Sequence, residues 1–154
     1  MKNLILLSLS TLLFCACTPQ PQAIEYGLDK CHSCKMTIVD AQHAAEAVSL
    51  KGKVFKFDAI ECLVHYVNEH GAANYSYLLV CDYQNPKTLL PAQSSHFLIS
   101  KAIPSPMGAN LSAFANREAC EQVSKQHGGD VMDWPQLLQR LKDQGVAYPQ
   151  NSNY

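Results

Sequence analysis

Three sulfur-bearing side chains lie close together in residues 29–37, where Cys31 and Cys34 have the Cys-x-x-Cys spacing and Met36 follows two residues later. That spacing lets two thiolates converge on one ion. A thioether is a soft donor, which adds affinity for Cu(I) and very little for Zn(II). His32 lies inside the same loop and offers an imidazole. The segment therefore predicts a site for a soft metal ion, and its donors suit Cu(I) best.

Three other chemistries also fit a lone Cys-x-x-Cys motif. Outside the cytoplasm, the pair could close a disulfide. It could be half of a zinc site, although no second Cys-x-x-Cys or paired histidine follows in the sequence. It could be a thioredoxin-type redox pair, but such a pair opens a helix, and nothing after Cys34 resembles a helix start. Counting free thiols separates the disulfide from the metal sites.

A second methionine lies on a stiffened loop. Pro104 and Pro106 restrict the chain and Gly108 permits an unusual turn, so Met107 belongs to no amphipathic run. A packing role and a ligand role are equally compatible with that position. We expect Met107 to converge on the same ion as the first loop, so that the site draws on two separate segments.

The remaining cysteines are interpreted as structural. Cys62 and Cys120 lie on predicted helices and Cys81 in an apolar strand, where a free cysteine packs as a small hydrophobe. With the two cysteines before residue 18 assigned to the N-terminal signal, an odd number of thiols is left, so disulfides cannot pair them all. The histidines other than His32 show no clustered ligand spacing and are also interpreted as structural.

The N-terminus resembles a lipoprotein signal. An apolar run over residues 4–14 is about half of the ~20 residues that a membrane-spanning helix needs, which favours cleavage. Ala16 before Cys17 resembles a lipobox, in which the thiol is acylated and becomes the first residue, although the two residues before Ala16 depart from the usual pattern. We therefore expect a signal peptide over residues 1–16, acylation of Cys17 and a lipidated tether over residues 17–28. An ordinary secreted protein, cut nearby, is the alternative.

The charge of the chain excludes one class of partner, and the N-terminal signal predicts where the protein is located. Lys and Arg number 12 and Asp and Glu 13, with no basic cluster, so the chain lacks the electrostatic footprint of a nucleic-acid-binding protein. The signal predicts a periplasmic protein that its lipid holds at a bacterial membrane, with the outer membrane favoured. Whether it forms a homodimer is left open.

The elements that must position these residues are short strands and helices. Two β-rich segments flank a two-residue turn at Lys51-Gly52, and a helix then begins, with Asp58 as its N-cap and Glu61 three residues on. Apolar residues at helical spacing follow, and Gly71 ends the helix. The predicted strands cover residues 46–50, 53–57, 75–83, 95–100, 111–114 and 130–132, and a second helix covers residues 116–127.

The order strand, strand, helix, strand therefore occurs twice. Phe57, Glu61, His70 and Gly71 have counterparts of the same type at one constant offset, namely Phe114, Glu118, His127 and Gly128. We infer an α+β fold of two tandem ββαβ units that form one compact duplicated domain. The first unit covers residues 29–88, with the CxxCxM loop. The second unit, with a C-terminal helix that begins near residues 133–135, covers residues 89–148, and a flexible tail covers residues 149–154.

Several motifs in order resemble one known family. The chain contains D-x-C-x-x-C-x-M-x-I-x-D, A-A-E, F-D-x-I-x-C, S-P-M-G, A-F-A and H-G-G-x-V-x-x-W, over residues 29–40, 44–46, 57–62, 105–108, 113–115 and 127–134. Together they are similar to the NosL family, the Cu(I)-binding accessory lipoproteins of nitrous oxide reductase maturation. The resemblance implies paired ββαβ units related to a domain of organomercurial lyase. It also implies Cys34, Met36 and Met107 as ligands, with Cys31 beside them, and Lys35 stands where the family commonly has Gly.

The resemblance implies a metallochaperone lipoprotein and not an enzyme. It would carry Cu(I) to a copper-accepting protein, or to its membrane assembly complex, for nitrous oxide reductase maturation. Two alternatives stay open. A thiol enzyme of the organomercurial-lyase type needs cysteines and an acid in one pocket, for which Cys62 beside Glu61 is a hint. A structural lipoprotein would carry a Cys31–Cys34 disulfide.

Overall fold

The computed structural model describes residues 18–144, so the predicted signal, the acylated Cys17 and the tail over residues 149–154 lie outside it. The predicted α+β class is confirmed by two antiparallel sheets and three α-helices. In chain order the elements are β1 (Ala45–Ser49), β2 (Val54–Phe57), α1 (Ile60–His70), β3 (Tyr75–Cys81), β4 (Leu89–Pro91), β5 (His96–Ile99), β6 (Leu111–Phe114), α2 (Arg117–His127), β7 (Asp130–Asp133) and α3 (Trp134–Asp143).

The first sheet has the strand order β2-β1-β3-β4, so β2 forms one edge. The predicted hairpin joins β1 to β2. Gly52 turns the chain with a φ of 80°, in the left-handed region that glycine adopts without a Cβ clash. Its N–H donates to the carbonyl of Ser49 at 2.9 Å. The short strand β4 was not predicted, and it pairs with β3 in this sheet.

The second sheet has the order β6-β5-β7. In both sheets the first strand of a ββαβ run is central and pairs antiparallel with the second and the last strand of that run. The two runs therefore share one topology, as the repeat in the sequence predicts, while their origin by duplication stays a prediction.

The core lies between the sheets and the helices. On α1 the residues predicted to form its apolar face are all buried, namely Ile60, Leu63, Val64 and Val67, and α1 packs against α3. The start of α3 is fixed by a capping box between Asp133 and Gln136, with proline in the first turn. Within residues 18–144, no helix has the length and apolar character needed to cross a membrane.

One helix boundary was predicted wrongly. Ala59, and not Asp58, is the N-cap of α1, and no side chain caps that end. Asp58 lies one residue earlier, where it is 2% exposed and accepts hydrogen bonds from two thiols. Glu61 does not close a capping box either, because its carboxylate binds Ser105 of a distant loop. Each carboxylate thus accepts a hydrogen bond from a distant segment, Asp58 from Cys34 and Glu61 from Ser105, which local spacing does not reveal.

Candidate metal centre

The Cys-x-x-Cys motif closes the end of a two-armed ribbon over residues 27–39. The arms are joined by backbone hydrogen bonds from Gly27 to Ile38 at 2.8 Å, from Ile38 to Asp29 at 2.9 Å and from Cys31 to Met36 at 2.8 Å. The turn between the arms forms no helix, as the sequence predicts. We call this segment the metal ribbon.

The edge of β2 holds the metal ribbon in place. The N–H of His32 donates to the carbonyl of Lys56 at 2.7 Å. The Nζ of Lys56 then binds Asp29 at 2.6 Å and the carbonyl of Ala23 at 2.7 Å. These contacts set the motif beside the end of β2, from which the chain enters α1.

Lys35 gives the turn the backbone that a glycine would give. Its φ is 67°, in the left-handed region, which is costly for a residue with a Cβ. Its Nζ donates to the carbonyl of His32 at 2.5 Å and its N–H to the carbonyl of Cys31 at 3.1 Å. The lysine thus adopts a backbone conformation that glycine adopts without strain, and it adds a positive charge directly after Cys34 in the chain.

Four side chains converge where the ribbon meets α1. The ligand atoms of Cys31, Cys34, Asp58 and Cys62 all lie within 4.8 Å of one another. Oδ1 of Asp58 accepts hydrogen bonds from the Cys34 thiol at 3.3 Å and from the Cys62 thiol at 3.1 Å. Cys31, Asp58 and Cys62 are buried and Cys34 is half-buried. We call these four residues the thiol cluster, and it could hold a metal ion.

Asp58 retains an unused acceptor inside the cluster. Within residues 18–144, its Oδ2 is buried and has no hydrogen-bond partner. A buried carboxylate oxygen without a partner is costly. A positive ion held among the thiols would supply that partner, so the arrangement fits a bound cation.

The thiols of the cluster differ in how readily they lose a proton. The hydrogen bond from Cys62 lowers the pKa of the Cys31 thiol. Burial raises the pKa of the Cys34 thiol. A thiolate therefore forms more readily at Cys31 than at Cys34. Cys34 would give up its proton when an ion replaces it, because metal binding and deprotonation are coupled.

The two predicted thioether ligands differ in exposure. Met36 is 52% exposed, next to the ribbon end that carries Cys34. Met107 is half-buried and packs against the main core. The structure thus brings Cys31 and Cys34 together, adds Cys62 and Asp58 to them, and leaves the two methionines as predicted ligands.

A buried carboxyl group fastens the loop that carries Met107. Oε1 of Glu61, on α1 next to Cys62, accepts from the hydroxyl of Ser105 at 2.5 Å and from the N–H of Ala109 at 3.3 Å. Ser105 Oγ also accepts from the N–H of Leu111 at 3.3 Å. Burial raises the pKa of Glu61. This carboxyl latch ties the S-P-M-G loop to the helix of the thiol cluster.

His32 packs as an aromatic residue against the first sheet. Its ring centroid lies 4.8 Å from that of Phe55 and 5.2 Å from that of Tyr66. Burial, followed by the charges of Lys35 and Lys53, lowers its pKa. Packing against Phe55 and Tyr66 thus fixes the position of the imidazole.

Among residues 18–144, the two remaining thiols lie outside the cluster. Cys81 is buried and exchanges a hydrogen bond with Tyr26 at 3.3 Å, and Cys120 is buried in a separate small apolar cluster. The buried His43 bridges Asp40 at 2.9 Å and Ser112 at 3.2 Å, which agrees with a structural role.

Sequence reasoning missed Asp58 and Cys62 as possible ligands. Cys62 was interpreted as core packing and Asp58 as a helix cap. One signal was available, because Asp58 just before the helix and Cys62 in its first turn are four residues apart, a spacing that can bring two side chains to the same side. That spacing places a carboxylate and a thiol together, but it does not show that they face the ribbon.

Comparison with known proteins shows which family the chain matches and which described proteins it resembles. A family model described as NosL matches residues 23–141. The copper-binding lipoprotein NosL of Stutzerimonas stutzeri is 27% identical in an alignment of 128 positions that covers 77% of this chain and 67% of that protein. The crystal structure of the copper chaperone NosL from Shewanella denitrificans has the same fold, with a TM-score of 0.66 and 20% identity over 76% of this chain and 94% of that one.

Proposed function

Because the chain belongs to the NosL family, we propose that it is a lipid-anchored metallochaperone that binds Cu(I) and delivers it for the assembly of nitrous oxide reductase. The thiol cluster is the observation that carries this proposal. It places three sulfur ligands and one carboxylate within 4.8 Å of one another, and thiolates are the protein ligands that best suit Cu(I).

The exposure of the cluster suits a protein that must release its ion. Cys31 and Cys62 are fully buried, whereas Cys34 is half-buried and Met36 is 52% exposed. An acceptor's ligand would reach the ion from the side of Cys34 and Met36. A closed cage of four buried ligands is typical of structural metal sites and would hinder such an exchange.

Zinc is the competing ion. Three cysteines and an aspartate form a plausible tetrahedral set for Zn(II), and this set is more complete than the sequence alone indicates. The thioethers of Met36 and Met107 favour Cu(I). We therefore propose that the reduced protein prefers Cu(I) when both ions are offered under a competing chelator.

An anaerobic titration of the reduced full chain with Cu(I) and Zn(II) tests this proposal. We expect tight binding of one Cu(I) per chain. A four-ligand zinc site contributes about 10–16 kcal/mol, or about 3 kcal/mol per ligand, so losing one thiolate should weaken binding roughly 100-fold. Cys34→Ser and Cys62→Ala should each show this loss. Cys120→Ala removes an equally buried sulfur outside the cluster and should leave Cu(I) affinity unchanged.

Met107 distinguishes a one-loop site from a two-loop site. Met107→Leu keeps the volume and removes the sulfur, so it should weaken Cu(I) binding far less than Cys34→Ser and should not unfold the protein. X-ray absorption would show one sulfur fewer around copper. If affinity and sulfur count are both unchanged, the ion is held without the S-P-M-G loop.

The lipoprotein part of the proposal rests on Ala16-Cys17 and on the description of the Stutzerimonas stutzeri relative as a lipoprotein. We propose an acylated Cys17 and a periplasmic location, with the outer membrane as the anchoring membrane. Intact mass spectrometry of membrane-extracted protein should show a diacylglyceryl-sized addition at residue 17. Cys17→Ser should release soluble protein, and an unmodified terminus in the native chain would contradict the anchor.

The thiol cluster also meets the geometric requirement of the alternative enzyme, because Asp58 accepts hydrogen bonds from two thiols. The matching relatives are described as a copper-binding lipoprotein and a copper chaperone, and neither description names a reaction. We therefore expect no turnover when the reduced chain is incubated with an organomercurial. Release of the hydrocarbon at a catalytic rate, lost in Asp58→Asn, would establish the enzyme instead.

A further inference from the structure

The outer face of the metal ribbon is exposed, apolar and basic. Lys30 and Thr37 face each other across it as an antiparallel bridge. Leu28 and Val39 lie two residues beyond them on the two arms, and therefore on the same face. Leu28 is 79% and Val39 71% exposed, whereas Ile38 on the opposite face is fully buried. Adjacent large apolar side chains in solvent are typical of an interaction site.

Two more lysines border the end of the ribbon that carries Cys34. Lys35 follows Cys34 directly, and its Nζ binds the carbonyl of His32 at 2.5 Å. The Nζ of Lys53 lies 4.8 Å from the ring centroid of Phe55, and that ring packs against His32 at 4.8 Å. Both positive charges therefore lie near His32, which stands between Cys31 and Cys34 in the motif. We name the whole patch the ribbon surface, consisting of Leu28, Lys30, Lys35, Val39 and Lys53.

The positive charge of the ribbon surface is not neutralised by ion pairs. Asp29 is paired with Lys56 at 2.6 Å, and Asp40 with His43 at 2.9 Å. Among residues 18–144, no ion pair includes a lysine of the ribbon surface. Glu25, at the base of the ribbon, is exposed and offsets part of the charge.

We propose that the ribbon surface docks the copper-accepting protein, and that the acceptor presents an apolar patch bordered by carboxylates. This inference rests on the proposed function, because docking beside Cys34 serves a chaperone whose ion leaves on that side. Opposite charges accelerate the encounter by about tenfold to a thousandfold at low ionic strength. The small apolar patch gives a short-lived complex, which a carrier needs in order to separate after transfer.

The test measures Cu(I) transfer from the loaded full chain to two synthetic peptides. Both peptides carry the same methionines, leucines and a fluorophore that Cu(I) quenches, but one is flanked by aspartates and the other by lysines. Transfer to the acidic peptide should be about tenfold faster at low salt, and the difference should disappear as salt screens the charges. Lys30→Glu with Lys53→Glu should abolish the preference, and Leu28→Ser with Val39→Ser should slow transfer to both peptides.

A matched control separates the ribbon surface from net charge. Lys101→Glu with Lys125→Glu makes the same change in net charge on exposed residues near the second sheet, and it should preserve the preference. Equal transfer to both peptides in the unsubstituted chain would overturn the docking proposal. The docking proposal would also be overturned if the preference for the acidic peptide survived Lys30→Glu with Lys53→Glu. The same holds if the control variant, Lys101→Glu with Lys125→Glu, lost that preference too.

Two further measurements distinguish the remaining explanations. Cu(I) affinity should be the same in all these variants. If a chain that still binds Cu(I) shows no preference for the acidic peptide, the docking proposal is refuted and the proposed function is not. A chain that binds no Cu(I) refutes the proposed function and docking with it. In the Cys17→Ser chain, binding to anionic phospholipid vesicles that is lost in Lys30→Glu with Lys53→Glu would identify a membrane contact and refute the docking of a protein.

Discussion

Ser105→Ala is expected to weaken Cu(I) binding by loosening the loop that carries Met107. Ser105 is 8% exposed, and its hydroxyl donates to Glu61 at 2.5 Å and accepts from the N–H of Leu111 at 3.3 Å. The substitution removes both contacts. The loop would then remain attached to Glu61 through the N–H of Ala109 at 3.3 Å.

The size of the effect follows from these contacts. A hydrogen bond to a buried carboxyl group contributes about 1.5–3 kcal/mol, and the N–H left without an acceptor adds to the cost, so the free energy of unfolding should fall by about 2–3 kcal/mol. Ordering a mobile side chain such as Met107 costs about 1 kcal/mol of conformational entropy. In Ser105→Ala this cost would be subtracted from the free energy of copper binding. Cu(I) affinity should therefore fall about fivefold.

Ser100→Ala is the matched control. Ser100 is 2% exposed, and its hydroxyl donates to the carbonyl of His127 at 3.0 Å and accepts from the N–H of Ala102 at 3.4 Å. It should lose comparable stability and keep its affinity for Cu(I). In a double-mutant cycle, Ser105→Ala should add nothing further to Met107→Leu, because the order of the loop no longer matters to the ion once the sulfur is gone. An equal loss of affinity in Ser100→Ala, or additivity in the cycle, would refute the latch.

Three other substitutions test the structure around the site by chemical denaturation. Glu61→Gln should become more stable relative to the native chain as pH rises. Because the pKa of Glu61 is raised in the folded state, the native chain loses stability as pH rises above about 4.3, the pKa of a glutamate in the unfolded chain. Parallel pH profiles for the two chains would contradict this. Lys35→Gly should change stability by less than about 1 kcal/mol, since relief of the left-handed φ of 67° offsets the added chain entropy; a larger loss would show that Lys35 holds the turn. Gly129→Ala should lower the free energy of unfolding by more than about 3 kcal/mol, because the added Cβ would lie 2.3 Å from the carbonyl oxygen of Ile99. Gly108→Ala is the control, since a Cβ at that position meets no atom within 4 Å. Equal losses of stability in the two variants would contradict the packing argument.

Much of the local structure was predictable because it depends on local spacing. The apolar residues of α1 at helical intervals, the turn at Gly52 and the second helix, predicted over residues 116–127 and observed as Arg117–His127, all appear where the sequence indicates. The antiparallel pairing of β1 with β2 also follows from their order, since two strands joined by a short turn pair antiparallel. The strand β4 was missed because it has only three residues and pairs along part of β3.

The sequence by itself determined that Cys31, Cys34 and Met36 share one loop, because a spacing of two or three residues brings side chains together in many backbone conformations. Only the tertiary structure decided which distant residues join them. Asp58 and Cys62 reach the loop because His32 pairs with Lys56 on the edge of β2 and the chain then turns directly into α1. No local pattern encodes that contact, since the free energy of burying a carboxylate beside three thiols depends on packing between segments far apart in the chain.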